Sequence, residues 1–208
     1  MSLLVGLTGG MGSGKTLAAS MFRNLGAHIL DADAICRDLV KPREPAWSEI
    51  VEFFGKEILT ADETLDRARL GKIVFDDPGK KKVLESILHP RVFLEERRVY
   101  ANIRKKQADA LVIIDAALLI ESGNYKNMDK VVVMSCGEKE QLRRTLKKGL
   151  LSPENIAKRL RAQMSNDDKI KYADYVIRNE GSVDNLRIQV ESVFQKLKNL
   201  AASNQSTS

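Results

Sequence analysis

Leu3-Leu4-Val5-Gly6-Leu7-Thr8-Gly9-Gly10-Met11-Gly12-Ser13-Gly14-Lys15-Thr16 is the stretch whose reading decides the fold. Leu3 to Leu7 is a short apolar run of the kind that forms a strand buried in a parallel sheet. The glycine-rich turn that follows gives way at Lys15 to helical periodicity, with Leu17, Ala18, Met21, Phe22 and Leu25 on one face. Gly26 stops that helix. Ala27 to Leu30 is a second short apolar run and ends at Asp31-Ala32-Asp33. The opening therefore reads strand, loop, helix, strand, which is how a doubly wound α/β sheet begins.

The loop itself has a chemical reading. Gly9 to Thr16 fits GxxxxGK[ST] between an apolar strand and an amphipathic helix. Gly9, Gly10, Gly12 and Gly14, with Met11 and Ser13 between them, let the backbone bend into a nest whose N–H groups face phosphate oxygens. The helix that starts there adds its positive end. Lys15 suits the β- and γ-phosphates of ATP, and the Thr16 hydroxyl suits Mg²⁺. This motif specifies nucleotide binding but not the use made of the nucleotide.

Outward from the loop, the chain changes character and then returns to it. From about Ala34 to Lys106 the periodicity is helical, with breaks expected at Pro42, Pro45, Gly55, Asp77-Pro78-Gly79 and His89-Pro90. Sheet character resumes at Leu111 to Ile114, ending at Asp115, and again at Lys130 to Met134. A charged helix is expected over Glu138 to Lys148, a helix opening at Ser152-Pro153-Glu154, a strand at Tyr175 to Ile177 and a closing helix at Val183 to Leu200. The expected architecture is α/β: a P-loop NTPase-type parallel sheet flanked by helices, with a helical substrate-binding insertion and a helical lid. Residues 1–33 and 108–200 form the nucleotide-binding core, 34–107 the insertion and 141–165 the lid, and 201–208 are a disordered tail.

Composition narrows the class. At 208 residues with 43% hydrophobic content, the chain can build one α/β domain with a small appended subdomain. Charged residues make up 30% with both signs interspersed, which describes a solvated surface. The net charge of +6 fits a polyphosphate site. Basic clusters such as Lys80-Lys81-Lys82 and Arg143 to Lys148 lack interleaved aromatics, so nucleic acid is not an expected partner. Cys36 and Cys136 stand far apart with no metal-ligand spacing and read as reduced thiols. With no signal-peptide pattern and no run long enough to cross a bilayer, a cytoplasmic location and no membrane contact are expected. The expected assembly is a monomer or weak homo-oligomer.

Phosphoryl transfer needs a carboxylate at the acceptor hydroxyl. Asp31 and Asp33 follow the second strand beside the loop, and alternation along an extended segment points both the same way. Asp33 is the favoured base, the alternative being an N-cap for the next helix. Asp115 fits either a Mg²⁺-proximal carboxylate or a strand-end turn residue. Gln141 to Lys148 offers arginines for the transferring group, or a solvated helix face.

Taken together, GLTGGMGSGKT to Thr16, DAD at Asp31 to Asp33, LDRARLGKIVF at Leu65 to Phe75 and His89-Pro90 resemble the dephospho-CoA kinase family. DAALLIES from Asp115, QLRRT from Gln141, RLRAQ from Arg159 and ADYVIRNEGS from Ala173 continue the resemblance, in order, from about residue 3 to residue 190. It implies transfer from ATP, with Mg²⁺, to the ribose 3′-hydroxyl of dephospho-CoA. It also implies roles for Asp33 as base, Arg144 near the phosphates, Asn179 and Gly181 near adenine, and Arg67, His89 and Leu118 on the acceptor side. For His89, a helix-boundary residue before proline is the alternative. Two departures stand out: Ala117 where the family usually has proline, and Lys148-Gly149 where its lid usually carries Arg-Asp. Lysine cannot reproduce arginine's bidentate fork. Rival readings are another small-molecule kinase on this core, of shikimate or nucleoside-monophosphate type, and a nucleic-acid-binding ATPase.

Overall fold

The computed structural model describes residues 1–147, 149, 154, 156 and 163–203. The expected helix at Ser152-Pro153, the RLRAQ run up to residue 162, and Lys148 lie outside the described residues. Two compact units are formed: Met1–Asp31 with Tyr100–Ser208, and Ala32–Val99.

The first unit is built on a five-stranded sheet in the order β2-β3-β1-β4-β5, with every pairing parallel. Its strands are β1 (Leu3–Gly9), β2 (His28–Asp31), β3 (Leu111–Asp115), β4 (Lys130–Ser135) and β5 (Tyr175–Arg178). β1 is central and wholly buried, which its near-continuous apolar run requires. Leu3, Val5 and Leu7 point to one face, where they meet α1 (Lys15–Asn24) and the closing helix α8 (Val183–Ser203) through Phe22, Leu186, Val190 and Leu197. On the opposite face Gly6 leaves room for Leu119, whose side chain lies where a Cβ would stand.

α1 ends as its sequence promised. Gly26, at φ +100°, follows the last turn, and the Ala27 and Gly26 amides donate to Phe22 and Arg23 carbonyls at 3.0 and 2.9 Å. This is a Schellman closure. α6 (Glu138–Lys147) carries acids in its first turn and bases in its last, matching the helix dipole. A short helix, α7 (Asn166–Ile170), precedes β5.

The second unit is helical: α2 (Ala32–Leu39), α3 (Pro45–Phe54), α4 (Arg67–Asp76) and most of α5 (Pro78–Lys106). Ala46, Ile50, Phe54, Ile58, Leu70 and Ile87 make its core. Asp66 caps α4 by accepting from the Ala68 and Arg69 amides at 3.0 and 2.9 Å, which sets Arg67 at the helix start.

Three expectations are corrected here. His89-Pro90 does not break the chain, because Pro90 lies inside α5. Proline disturbs the hydrogen bonds of the preceding turn, and the Arg91 guanidinium donates to the Ile87 carbonyl there at 2.6 Å. Residues 201–203 are not a loose tail. They finish α8, Ala201 is buried, and its carbonyl accepts from the Met1 ammonium at 2.7 Å. Asp31 and Asp33 do not alternate along one strand: Asp31 ends β2, whereas Asp33 sits in the first turn of α2.

Candidate active site

The carboxyl ends of β1, β3, β4 and β5 gather the chemistry-bearing groups of the first unit. Gly9 closes β1, and the loop to Thr16 runs directly into α1. Gly14 has φ +92° and receives the Asn179 side-chain amide where a Cβ would sit, so no other residue serves there. Asn179 prolongs β5 beside β4 by donating its backbone N–H to Ser135 at 2.8 Å. That placement buries its side chain, which donates to the Ser13 carbonyl at 2.9 Å.

Lys15 forms an ion pair with Asp115, the last residue of β3. Parallel register sets Asp115 beside Leu7 on one side and Asp31 on the other. Thr16 is exposed at the first turn of α1. Any phosphate taken up by the loop must compete with Asp115 for the Lys15 ammonium.

α6 lies against the loop. Arg144 donates through Nε to Glu140 at 2.6 Å and through Nη2 to the Asn179 carbonyl at 3.1 Å. The Glu140 carboxyl is held down to about 2 by hydrogen bonds from Arg143 and then Arg144. A depressed carboxylate contributes its tie above its ordinary pKa and loses it as pH falls through the folded value. The Glu140–Arg144 bond therefore persists throughout the neutral range and is released only toward pH of about 2.

Several residues reach the loop without having been singled out for a role. The Gln141 amide nitrogen and the Asn166 carbonyl oxygen lie 2.8 and 3.2 Å from where a Cβ on Gly10 would stand. Gln163 accepts from the Met11 N–H at 3.1 Å, and Asn166 donates to the Cys136 carbonyl at 2.8 Å. Ser13 Oγ and Gln141 Nε2 are buried donors at the nest with no hydrogen-bond partner among the described residues. Buried polar groups normally find partners; these two donors suit an anion, whereas the Asn166 carbonyl oxygen, equally unpartnered beside Gly10 among the described residues, does not. Gln141 and Gln163 fall inside quoted motifs, but nothing in local sequence marks a glutamine as a loop brace.

The other expected residues are placed as follows. Gly181 lies between β5 and α8, against Asn185. Leu118 is an exposed leucine in the loop after β3. In the second unit, burial and then the Asp33 carboxylate push the Cys36 thiol up, while Arg67 and Arg37 pull it down. Asp33 and Arg67 thus act on one thiol. His89 stacks on Phe93 one turn along α5, with centroids 5.8 Å apart, instead of marking a helix boundary.

A glycine nest after the central strand of a parallel sheet, with Lys15 and a strand-end carboxylate beside it, defines a P-loop nucleotide-binding protein. A crystal structure of the Thermus thermophilus protein TT1252 superposes with a TM-score of 0.78 at 30% identity, covering 94% of this chain and 98% of that one. The dephospho-CoA kinase of Campylobacter jejuni superposes at 0.71 with 26% identity, over 96% and 98% of the two chains. Dephospho-CoA kinase of Aquifex aeolicus is 40% identical over 93% of this chain and 96% of its own. The dephospho-CoA kinase family model matches residues 3–185. The chain belongs to the dephospho-CoA kinase family.

Membership makes it a nucleotide-using kinase with a small-molecule acceptor. No described helix is long and apolar enough to cross a membrane.

Proposed function

We propose that the chain transfers the γ-phosphoryl group of ATP to the ribose 3′-hydroxyl of dephospho-CoA, giving CoA and ADP, the last step of coenzyme A biosynthesis. The observation that carries this reading is the family match over residues 3–185 on a chain whose glycine nest is held by Asn179 at Ser13 and by Gln163 at Met11. In the transfer, the bond from the γ-phosphorus to the β-bridging oxygen breaks and a bond to the ribose oxygen forms. Asp33 takes the hydroxyl proton, and ADP leaves with the electron pair.

Each residue has a physical task. Amides of the nest other than those of Met11 and Ser13, which Gln163 and the Gly10 carbonyl take, hold the β- and γ-phosphates together with the Lys15 ammonium. Arg144, aimed by Glu140 and Asn179, supplies fixed positive charge for the transferring group. Arg67, His89 and Leu118 orient the acceptor. The Thr16 hydroxyl and the Asp115 carboxylate are hard oxygen donors of the type Mg²⁺ takes, completed by phosphate oxygens. Bound there, the ion would neutralise phosphate charge.

Asn179 also has a task at the loop. Because its side chain grips the Ser13 carbonyl, Asn179→Ala should weaken ATP and GTP together, by about tenfold, the worth of one buried hydrogen bond. Adenosine affinity should stay unchanged in the same titration. Loss confined to the preference for ATP over GTP would instead assign the side chain to reading the base.

The functional reading is tested by offering dephospho-CoA, shikimate and nucleoside monophosphates in parallel with ATP and Mg²⁺, and following ADP. ADP release is expected with dephospho-CoA alone. Release with one of the others would move the chain to a different small-molecule kinase.

A further inference from the structure

Lys169 is the one residue of the described core whose full-length charged side chain has no contact with solvent: its relative exposure is 0%. Its setting, Asn166-Asp167-Asp168-Lys169, looks like a solvated helix end. Burying an ammonium is costly unless good partners surround it. Among the described residues, the partners of its ammonium belong to the loop after β3. Nζ donates to the Ala117 carbonyl at 2.7 Å and pairs with Glu121 at 3.0 Å. The same carbonyl accepts from the buried Thr8 hydroxyl at 3.2 Å, one residue before the glycine loop. Glu121 in turn accepts from the Met164 N–H at 3.0 Å.

The neighbours of Lys169 in sequence are the braces of the phosphate loop. Gln163 holds the Met11 amide and Asn166 holds the Cys136 carbonyl. Cys136 itself touches the Gly12 carbonyl through Sγ at 3.7 Å. One segment, Gln163 to Lys169, therefore ties the nest to the loop carrying Leu118. That loop rises from Asp115 and is pinned below by Leu119 over Gly6. Leu118 is left exposed at its crest.

We propose that Lys169 is a positioning residue for the loop after β3, holding Ala117 so that Leu118 and Asp115 keep a fixed place relative to the phosphate loop. This deepens the functional reading above and rests on it for the acceptor's identity. A buried ion pair kept only for stability is a poor device, since apolar replacements of equal volume are often neutral or better. The pair here fixes a backbone carbonyl between the phosphate loop and an exposed apolar crest.

The test uses the full chain and three variants. Lys169→Met removes the tie, Thr8→Val removes the second donor to the same carbonyl without touching a charge, and Glu121→Gln leaves Lys169 bonded to Ala117. Small misplacements in positioning groups cost up to about 10²-fold. Lys169→Met should raise KM for dephospho-CoA about tenfold or more while KM for ATP stays within about threefold, and Thr8→Val should shift KM the same way. Glu121→Gln, which takes the counter-charge from a buried ammonium but leaves its bond to Ala117, should cost stability and shift KM for dephospho-CoA less than Lys169→Met. Amide exchange over residues 116–122 should rise at least about tenfold in Lys169→Met, with α8 unchanged. Loss of stability alone lowers the active fraction and leaves KM where it was. If Lys169→Met does not fold, Thr8→Val decides by the same two readouts. Unchanged KM for dephospho-CoA and unchanged exchange in the loop would overturn the proposal. A wild-type chain inactive on dephospho-CoA would count against the functional reading, while the exchange measurement still judges the tie.

Discussion

Lys15→Ala is expected to lower kcat/KM by about 10²- to 10³-fold, the scale of losing one preorganised charged donor to a developing charge. The loss should be worse than removal of a contact. Lys15 is paired with Asp115, which is only 12% exposed. Without the ammonium, an uncompensated carboxylate would stand beside the nest and repel the phosphates. Affinity for ATP should fall with turnover. Asp115→Asn added to Lys15→Ala should recover part of the affinity for magnesium-free ATP and little of kcat, because the repulsion goes but neither the donor nor the metal-binding carboxylate is there for turnover. Calorimetric ATP titration and steady-state rates on both variants check this. Unchanged binding in Lys15→Ala would mean that phosphate is gripped elsewhere.

Asp33→Asn is expected to retain ATP binding and lose about two orders of magnitude or more in kcat, the usual scale for removing a general base. The same variant has a second readout independent of turnover. The Asp33 carboxylate helps to push the Cys36 thiol up and Arg67 helps to pull it down. Asparagine at 33 should therefore lower the Cys36 pKa and speed its alkylation at mildly alkaline pH, while Arg67→Ala should slow it. Cys136, buried against the glycine loop, serves as the unreactive reference. Near-normal turnover in Asp33→Asn would remove Asp33 from the base role whatever the thiol does.

Much of this was legible in the sequence because it depends on local pattern. Leu3 to Thr16 fixes strand, nest and helix by apolar run, glycine spacing and periodicity, and each falls where expected. The runs at Leu111 and Lys130 became β3 and β4 for the same reason. Local pattern misleads where tertiary packing decides. Pro90 carries a strong breaker signal, yet the helix continues, with an arginine side chain donating to a carbonyl in the disturbed turn. Ala201 to Ser203 are small and polar enough to read as a tail, but they are held by the far end of the chain. The alternation argument for Asp31 and Asp33 assumed extended backbone across a junction where a helix begins at Ala32. Lys169 could not have been singled out, because its burial comes from a loop some fifty residues earlier in sequence.

Phosphoryl transfer from the nest to a ribose hydroxyl is tested most directly by incubating the purified chain with ATP, Mg²⁺ and dephospho-CoA and fragmenting the product in a mass spectrometer. The expected result is CoA carrying its new phosphate on the adenosine ribose at the 3′ position, with ADP formed in equal amount and product from Lys15→Ala appearing about 10²-fold or more slowly. ADP without CoA, or CoA formed equally well by Lys15→Ala, would contradict it.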